Sequence, residues 1–188
     1  MSEADPDSQS PFPSSTRDSV LCTAVSEGDE ATWDFVWARY LGSHNANEKL
    51  SLLTALACSR EVWLLERYLE MSLTEEAGVS KQDGYKIVVA VSNNLVGRFL
   101  AWDWLRSHWD ELTTYYDPAV NVYVGRIISA VARDFNTEFL LSQLETFVAE
   151  HQEELGTATR DAEMVIQSSR ANVAWMEKHY QTVIDWIS

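Results

Sequence analysis

Between Ser15 and Tyr116 the chain contains no proline and few glycines, and its apolar residues recur at spacings of three and four. A stretch of that length with a helical period admits helix over most of its course, because strands would need alternation and loops would need turn residues. In "EATWDFVWARYLG", Trp33, Val36, Trp37, Tyr40 and Leu41 fall on one stripe, with Asp29 placed to cap the start and Gly42 to stop the end. The device returns in "NANEKLSLLTALAC" with Leu50, Leu53, Leu56 and Ala57, and in "REVWLLERYLEM" with Val62, Leu65 and Leu69. "SKQDGYKIVVAVSNN" offers Ser80 as a cap, Tyr85, Val88 and Val89 as a core face and Ser92 as a polar interruption. Its β-branched content makes a strand the competing reading, and its helical neighbours decide for helix.

Further on, Val96, Phe99, Trp102, Leu105, Trp109 and Leu112 keep the helical period until Asp117-Pro118 closes the run. Two more helices are expected in "VYVGRIISAVARDF" and "NTEFLLSQLETFVAEH", broken at Phe135 and Asn136, and the last segment reads as one long helix or two joined near Ser169. Residues 1–14 hold three of the four prolines and lack any apolar period, so they read as a flexible leader before a helical domain over 15–188. About eight or nine short helices with tight links predict an all-α fold, a superhelical array of antiparallel HEAT/armadillo-like helix pairs. Pairs of about 40 residues fit that range, without a repeating sequence signature.

Formal net charge is −15, from 29 acidic and 14 basic residues, which repels phosphate backbones and excludes nucleic acid as a partner. No run reaches about 18 consecutive apolar residues, and Met1 is followed by Ser, Glu and Asp, so the piece neither spans a membrane nor directs its own secretion. The four histidines, His44, His108, His151 and His179, never fall at i, i+4, so there is no HExxH helix and no metal site to argue. No nucleophile elbow, phosphate-binding loop or dinucleotide fingerprint occurs either. His108 among Trp102, Trp104 and Trp109, like Trp33, Trp37 and Trp63, reads as packing. The acidic clusters at 27–30, 73–76 and 150–154 read as solvated helix starts and loops. The two cysteines, Cys22 and Cys58, fail zinc and CxxC spacing; by their residues alone they are equally two buried thiols or one bridge.

The stretch "TWDFVWARYLGSHNANEKLSLLTALACSREVWLLERYL", then "KQDGYKIVVAVSNNLVGRFLAWDWLRSHWDEL", "FNTEFLLSQLETF" and "RANVAWMEKHYQTVIDW" resembles the C-terminal helical domain of the M1 family of zinc aminopeptidases, with the look of an insect aminopeptidase N. The resemblance runs from about Arg17 to Trp186 in four ordered blocks. It implies an ectoenzyme, membrane-bound or secreted, that trims peptide N-termini with a HExxH zinc helix and a GxMEN loop. Both belong to a preceding domain, so no cofactor or catalytic residue is carried over to this chain, which is expected to be inactive alone.

In the family this domain closes a peptide chamber and selects substrates. The implied partners are the catalytic domain of the parent enzyme, peptides and a second copy in a homodimer. The turn from Asn93 through Asn94 to Arg98, polar and containing a glycine between two helices, is the candidate stretch facing peptide. The resemblance also implies a disulfide between Cys22 and Cys58, in an extracellular setting that permits one. Closing that loop contributes between about 3 and 4.7 kcal/mol on the chain-entropy model. The alternative expectation is a stand-alone helical-repeat binding module, such as the receptor surface that insect enzymes of this type present to bacterial pore-forming toxins.

Overall fold

The structure is a computed structural model that describes residues 13–117 and 122–188. The leader expected over 1–14 lies outside it except for Pro13 and Ser14, and Pro118 also lies outside. The described residues are all helix and loop, with ten α-helices and no strand among them. They gather into two compact units, one up to Leu100 and one from Ala101.

The first unit contains α1 (Ser14–Glu27), α2 (Glu30–Gly42), α3 (Ala46–Leu56), α4 (Val62–Met71) and α5 (Lys81–Ser92). Caps set several boundaries. The Asp29 carboxylate accepts from Thr32 N at 3.0 Å, Asn45 Oδ1 from Asn47 N and Glu48 N, and Ser80 Oγ from Asp83 N, each satisfying donors that a helix start leaves open. Gly78, at φ 82, makes the left-handed turn before α5. The core joins Leu52, Leu53 and Leu56 of α3 with Leu64, Leu65, Tyr68 and Leu69 of α4 and Ile87, Val88 and Val91 of α5, all nearly inaccessible. Trp33 and Tyr68 meet edge-to-face at 5.5 Å, and Arg67 lies over the Trp33 ring while its guanidinium reaches Asp34 at 3.1 Å.

Several core faces differ from expectation. The buried face of α5 is Ile87, Val88 and Val91, with Tyr85 and Val89 only half-buried, because α3 and α4 both pack on α5 and share its side facing them. Ser92 is buried in this face, its hydroxyl donating to Val89 O at 2.8 Å. Leu41, Leu50, Val62 and Trp63 are exposed, on the outer sides of their helices.

α6 (Gly97–Ser107) starts in the first unit, and the second continues from Ala101 through α7 (Trp109–Tyr116), α8 (Tyr123–Ala132), α9 (Glu138–Glu150) and α10 (Thr159–Ile187). The run expected as one helix breaks at His108, whose ring stacks on Trp104 at 5.0 Å. In α8, Val124, Ile127, Ile128 and Val131 are buried against the first half of α10, where Ala162, Val165, Ser169 and Val173 recur at helical spacing. α10 is one continuous helix. Beyond Val173 its Trp175, Tyr180, Val183, Trp186 and Ile187 are exposed.

Candidate functional site

α3 ends at Leu56, and the chain then passes through Ala57 to Glu61 before α4 begins. A helix end leaves carbonyls without partners. Here side chains supply them: Tyr68 Oη donates to Leu53 O at 2.9 Å, Trp33 Nε1 to Leu56 O at 3.1 Å, and Asn94 Nδ2 to both Ala57 O at 2.7 Å and Ser59 O at 2.8 Å. The Asn94 side-chain oxygen accepts from Val96 N at 2.8 Å and Gly97 N at 3.3 Å, which caps the start of α6. One asparagine thus fixes two chain segments at once, with both amide hydrogens and its acceptor engaged.

Cys22 and Cys58 are bonded to each other, with their Cα atoms 5.3 Å apart, so α1 is tied covalently to this junction. A cavity of about 280 Å³ opens beside the bond, lined by Cys22, Thr54, Cys58, Ala90, Asn93 and Asn94. Four of the five sequence candidates therefore meet on one cavity. Arg98, half-buried in the first turn of α6, is not among its lining residues.

The second unit has a cleft of about 400 Å³ whose wall includes Arg106, Phe139, Gln143, Phe147, Glu150 and His151. Phe147 packs against Trp102, Trp109 and His151, at 5.5, 5.0 and 4.7 Å between ring centres. Trp102 Nε1 donates to Gln143 Oε1 at 3.2 Å, and the Arg106 guanidinium lies over the Trp102 ring. Next to His151 the exposed Glu154 carboxylate accepts from Trp109 Nε1 and lies 3.0 Å from His151 Nδ1. The Trp109 bond, followed by the His151 one, holds the Glu154 carboxyl below the usual range. His108, the histidine that the sequence sets among tryptophans, stacks on Trp104, whereas His151 packs against both Trp109 and Phe147. The spacing of Phe147 and His151 on one turn was the available signal, but their partner Trp109 is remote in sequence.

No group of three or more His, Cys, Asp or Glu side chains able to hold a metal occurs among the described residues. The sites instead offer an amide-rich junction beside a disulfide, and an aromatic cleft with one cation and one carboxylate at its wall.

Residues 2–174 match the model of the ERAP1-like C-terminal domain. The chain belongs to this family. It is 38% identical to aminopeptidase Ey of Gallus gallus over 180 residues, covering 95% of this chain and 18% of that protein. It is 34% identical to aminopeptidase N of Homo sapiens over 179 residues, with the same two coverages. To the thyrotropin-releasing hormone-degrading ectoenzyme of Rattus norvegicus it is 34% identical over 176 residues, covering 94% of this chain and 16% of that protein. The chain thus corresponds to the C-terminal domain of M1 aminopeptidase-like proteins and spans less than a fifth of the length of these relatives. Among the described residues no helix is long and apolar enough to cross a membrane.

Proposed function

We propose that this domain is the non-catalytic helical wall of a zinc aminopeptidase, closing a peptide chamber over the catalytic domain and setting which peptides are admitted. The carrying observation is the family match over nearly the whole chain, together with relatives that are aminopeptidases several times longer. Stacked helices of a superhelical array suit that role, since a curved face admits a flexible peptide and excludes a folded protein. The zinc and the bond-breaking residues belong to the catalytic partner. The disulfide fits an extracellular or membrane-anchored parent enzyme.

Of the proposed peptide-facing residues, Asn93 is exposed and Arg98 half-buried, and either can meet a peptide's polar groups. Asn94 acts through the turn that presents them. The test is kinetic, in the full-length protein. Arg98→Ala and Asn93→Ala should raise KM for peptides several residues long while leaving kcat for a leucyl anilide unchanged. Unchanged peptide kinetics in both variants would remove this face from the chamber.

A further inference from the structure

We propose that the Cys22–Cys58 disulfide is a thiol-exchange site, entered through the cavity beside it, at which a small thiol compound such as glutathione attacks Cys58 and releases α1 from its covalent hold. Three observations meet here. Both cysteines are half-buried and both line a cavity of about 280 Å³, so an incoming thiolate has room beside the bond. Exchange requires that kind of access to one of the two sulfurs.

The second observation concerns which sulfur leaves. Cys58 follows the carbonyl end of α3, its backbone N–H donating to Ala55 O at 2.9 Å and its Sγ lying 3.7 Å from Thr54 O. In the bridged protein that sulfur has no hydrogen, so the Thr54 contact is no bond. A thiolate there would face a carbonyl oxygen and the negative end of a helix dipole, which disfavours it. Cys22 lies inside α1 and its sulfur shares this helix end through the bond, but it is the Cys58 sulfur that lies against the Thr54 carbonyl, which makes Cys22 the better leaving group.

The third observation concerns how α1 is held: it packs along α3 and against α2, but it buries few side chains completely. Among its described side chains only Val25 and Arg17 are buried. The ion pair between Arg60 and Glu27 that joins its end to the α3–α4 link has both side chains more than half exposed. Such exposed pairs contribute little. Opening the bridge therefore removes the covalent part of that hold and loosens α1, while the core of α3, α4 and α5 stays packed.

In the first step a thiolate RS⁻ forms a bond to Cys58 Sγ, the S–S bond breaks, and Cys22 leaves as a thiolate that takes a proton from water. In the second step another RS⁻ attacks the mixed disulfide, giving RSSR and a Cys58 thiolate. Two thiols are oxidised to one disulfide and the protein bridge is reduced by two electrons.

The 188-residue chain in native buffer is treated with reduced glutathione, quenched with N-ethylmaleimide at early times and mapped by peptide mass. Glutathione on Cys58 with maleimide on Cys22 is expected, at a rate within about tenfold of that for the same chain in denaturant. Hydrogen exchange on the trapped species should show lost protection confined to α1, and the doubly substituted Cys22→Ser, Cys58→Ser chain should match it. Exchange only in denaturant, glutathione on Cys22, or protection lost throughout α3 and α4 would each overturn the proposal.

Discussion

Asn94 shows how much one side chain can hold. Its two donated bonds satisfy Ala57 O and Ser59 O, and its oxygen caps α6, so Asn94→Ala leaves several polar backbone groups without partners near the core. A loss of about 2–4 kcal/mol is expected, read as a lower urea midpoint. Asn94→Asp should cost at least as much, because a carboxylate would point at two carbonyls; a mild effect would show that water replaces these bonds. Two carboxyls give the acid response. Burial pushes the Asp83 carboxyl up, but Lys86 Nζ at 2.9 Å and the Tyr40 hydroxyl at 3.2 Å outweigh it and hold it below its ordinary value. Glu48 is held down first by the Ser43 hydroxyl at 2.7 Å and also by Arg39, against burial. A carboxyl lowered in the folded state contributes stability that is complete above its unfolded value, near pH 3.9 for Asp and 4.3 for Glu, and is lost as pH falls through the lower folded value. Urea midpoints should therefore drop below about pH 4, with a shallower drop in Asp83→Asn and Glu48→Gln. The sequence could point to a polar turn at Asn94, but not to carbonyls some 35 residues earlier, since capping of a distant strand of loop leaves no local pattern.

The same device recurs between elements of the second unit. Asn172 Nδ2 on α10 donates to Arg133 O at 3.3 Å and Phe135 O at 3.2 Å, tying off the end of α8 as Asn94 ties off α3. The helices themselves were legible, down to the caps at Asp29 and Ser80, because capping and periodicity are local. The rotation of the α5 face was not, since which side of an apolar helix is covered depends on the neighbours it meets. Trp63, which helical spacing alone predicts to be packed, is exposed, its helix turning Leu64 and Leu65 inward instead. Gly97 lies where the start of α6 comes close to α5: a Cβ there would lie 2.6 Å from Val91 O and 2.8 Å from Val91 Cγ1. Because a backbone oxygen cannot swing aside, Gly97→Ala should force α6 from α5 and cost about 1–3 kcal/mol, with a correspondingly lower thermal midpoint. A neutral substitution would mean that this joint has slack.

At the scale of the whole molecule, net charge −15 sets up self-repulsion that a few exposed ion pairs do not offset. Raising sodium chloride from low ionic strength to about 0.5 M should raise the thermal midpoint at neutral pH, because screening relieves the repulsion. A lower midpoint would mean that the ion pairs dominate. The purified chain with added zinc should not hydrolyse alanyl or leucyl anilides; turnover that follows the chain and is abolished by chelation would contradict the proposed division of labour. The all-helical class was legible because proline and periodicity act along the whole chain, whereas the division near Leu100 falls inside an unbroken apolar period and leaves no mark in composition. The bridge between Cys22 and Cys58 also has a mechanical consequence. Its 36-residue separation keeps that length of chain from paying out when the two ends are pulled apart, and with the bridged Cα atoms still 5.3 Å apart the stretched molecule is shorter than its full contour by about 115–125 Å. A thiol added under tension should release that length in a single step, making the bond a latch whose opening can be read with a ruler.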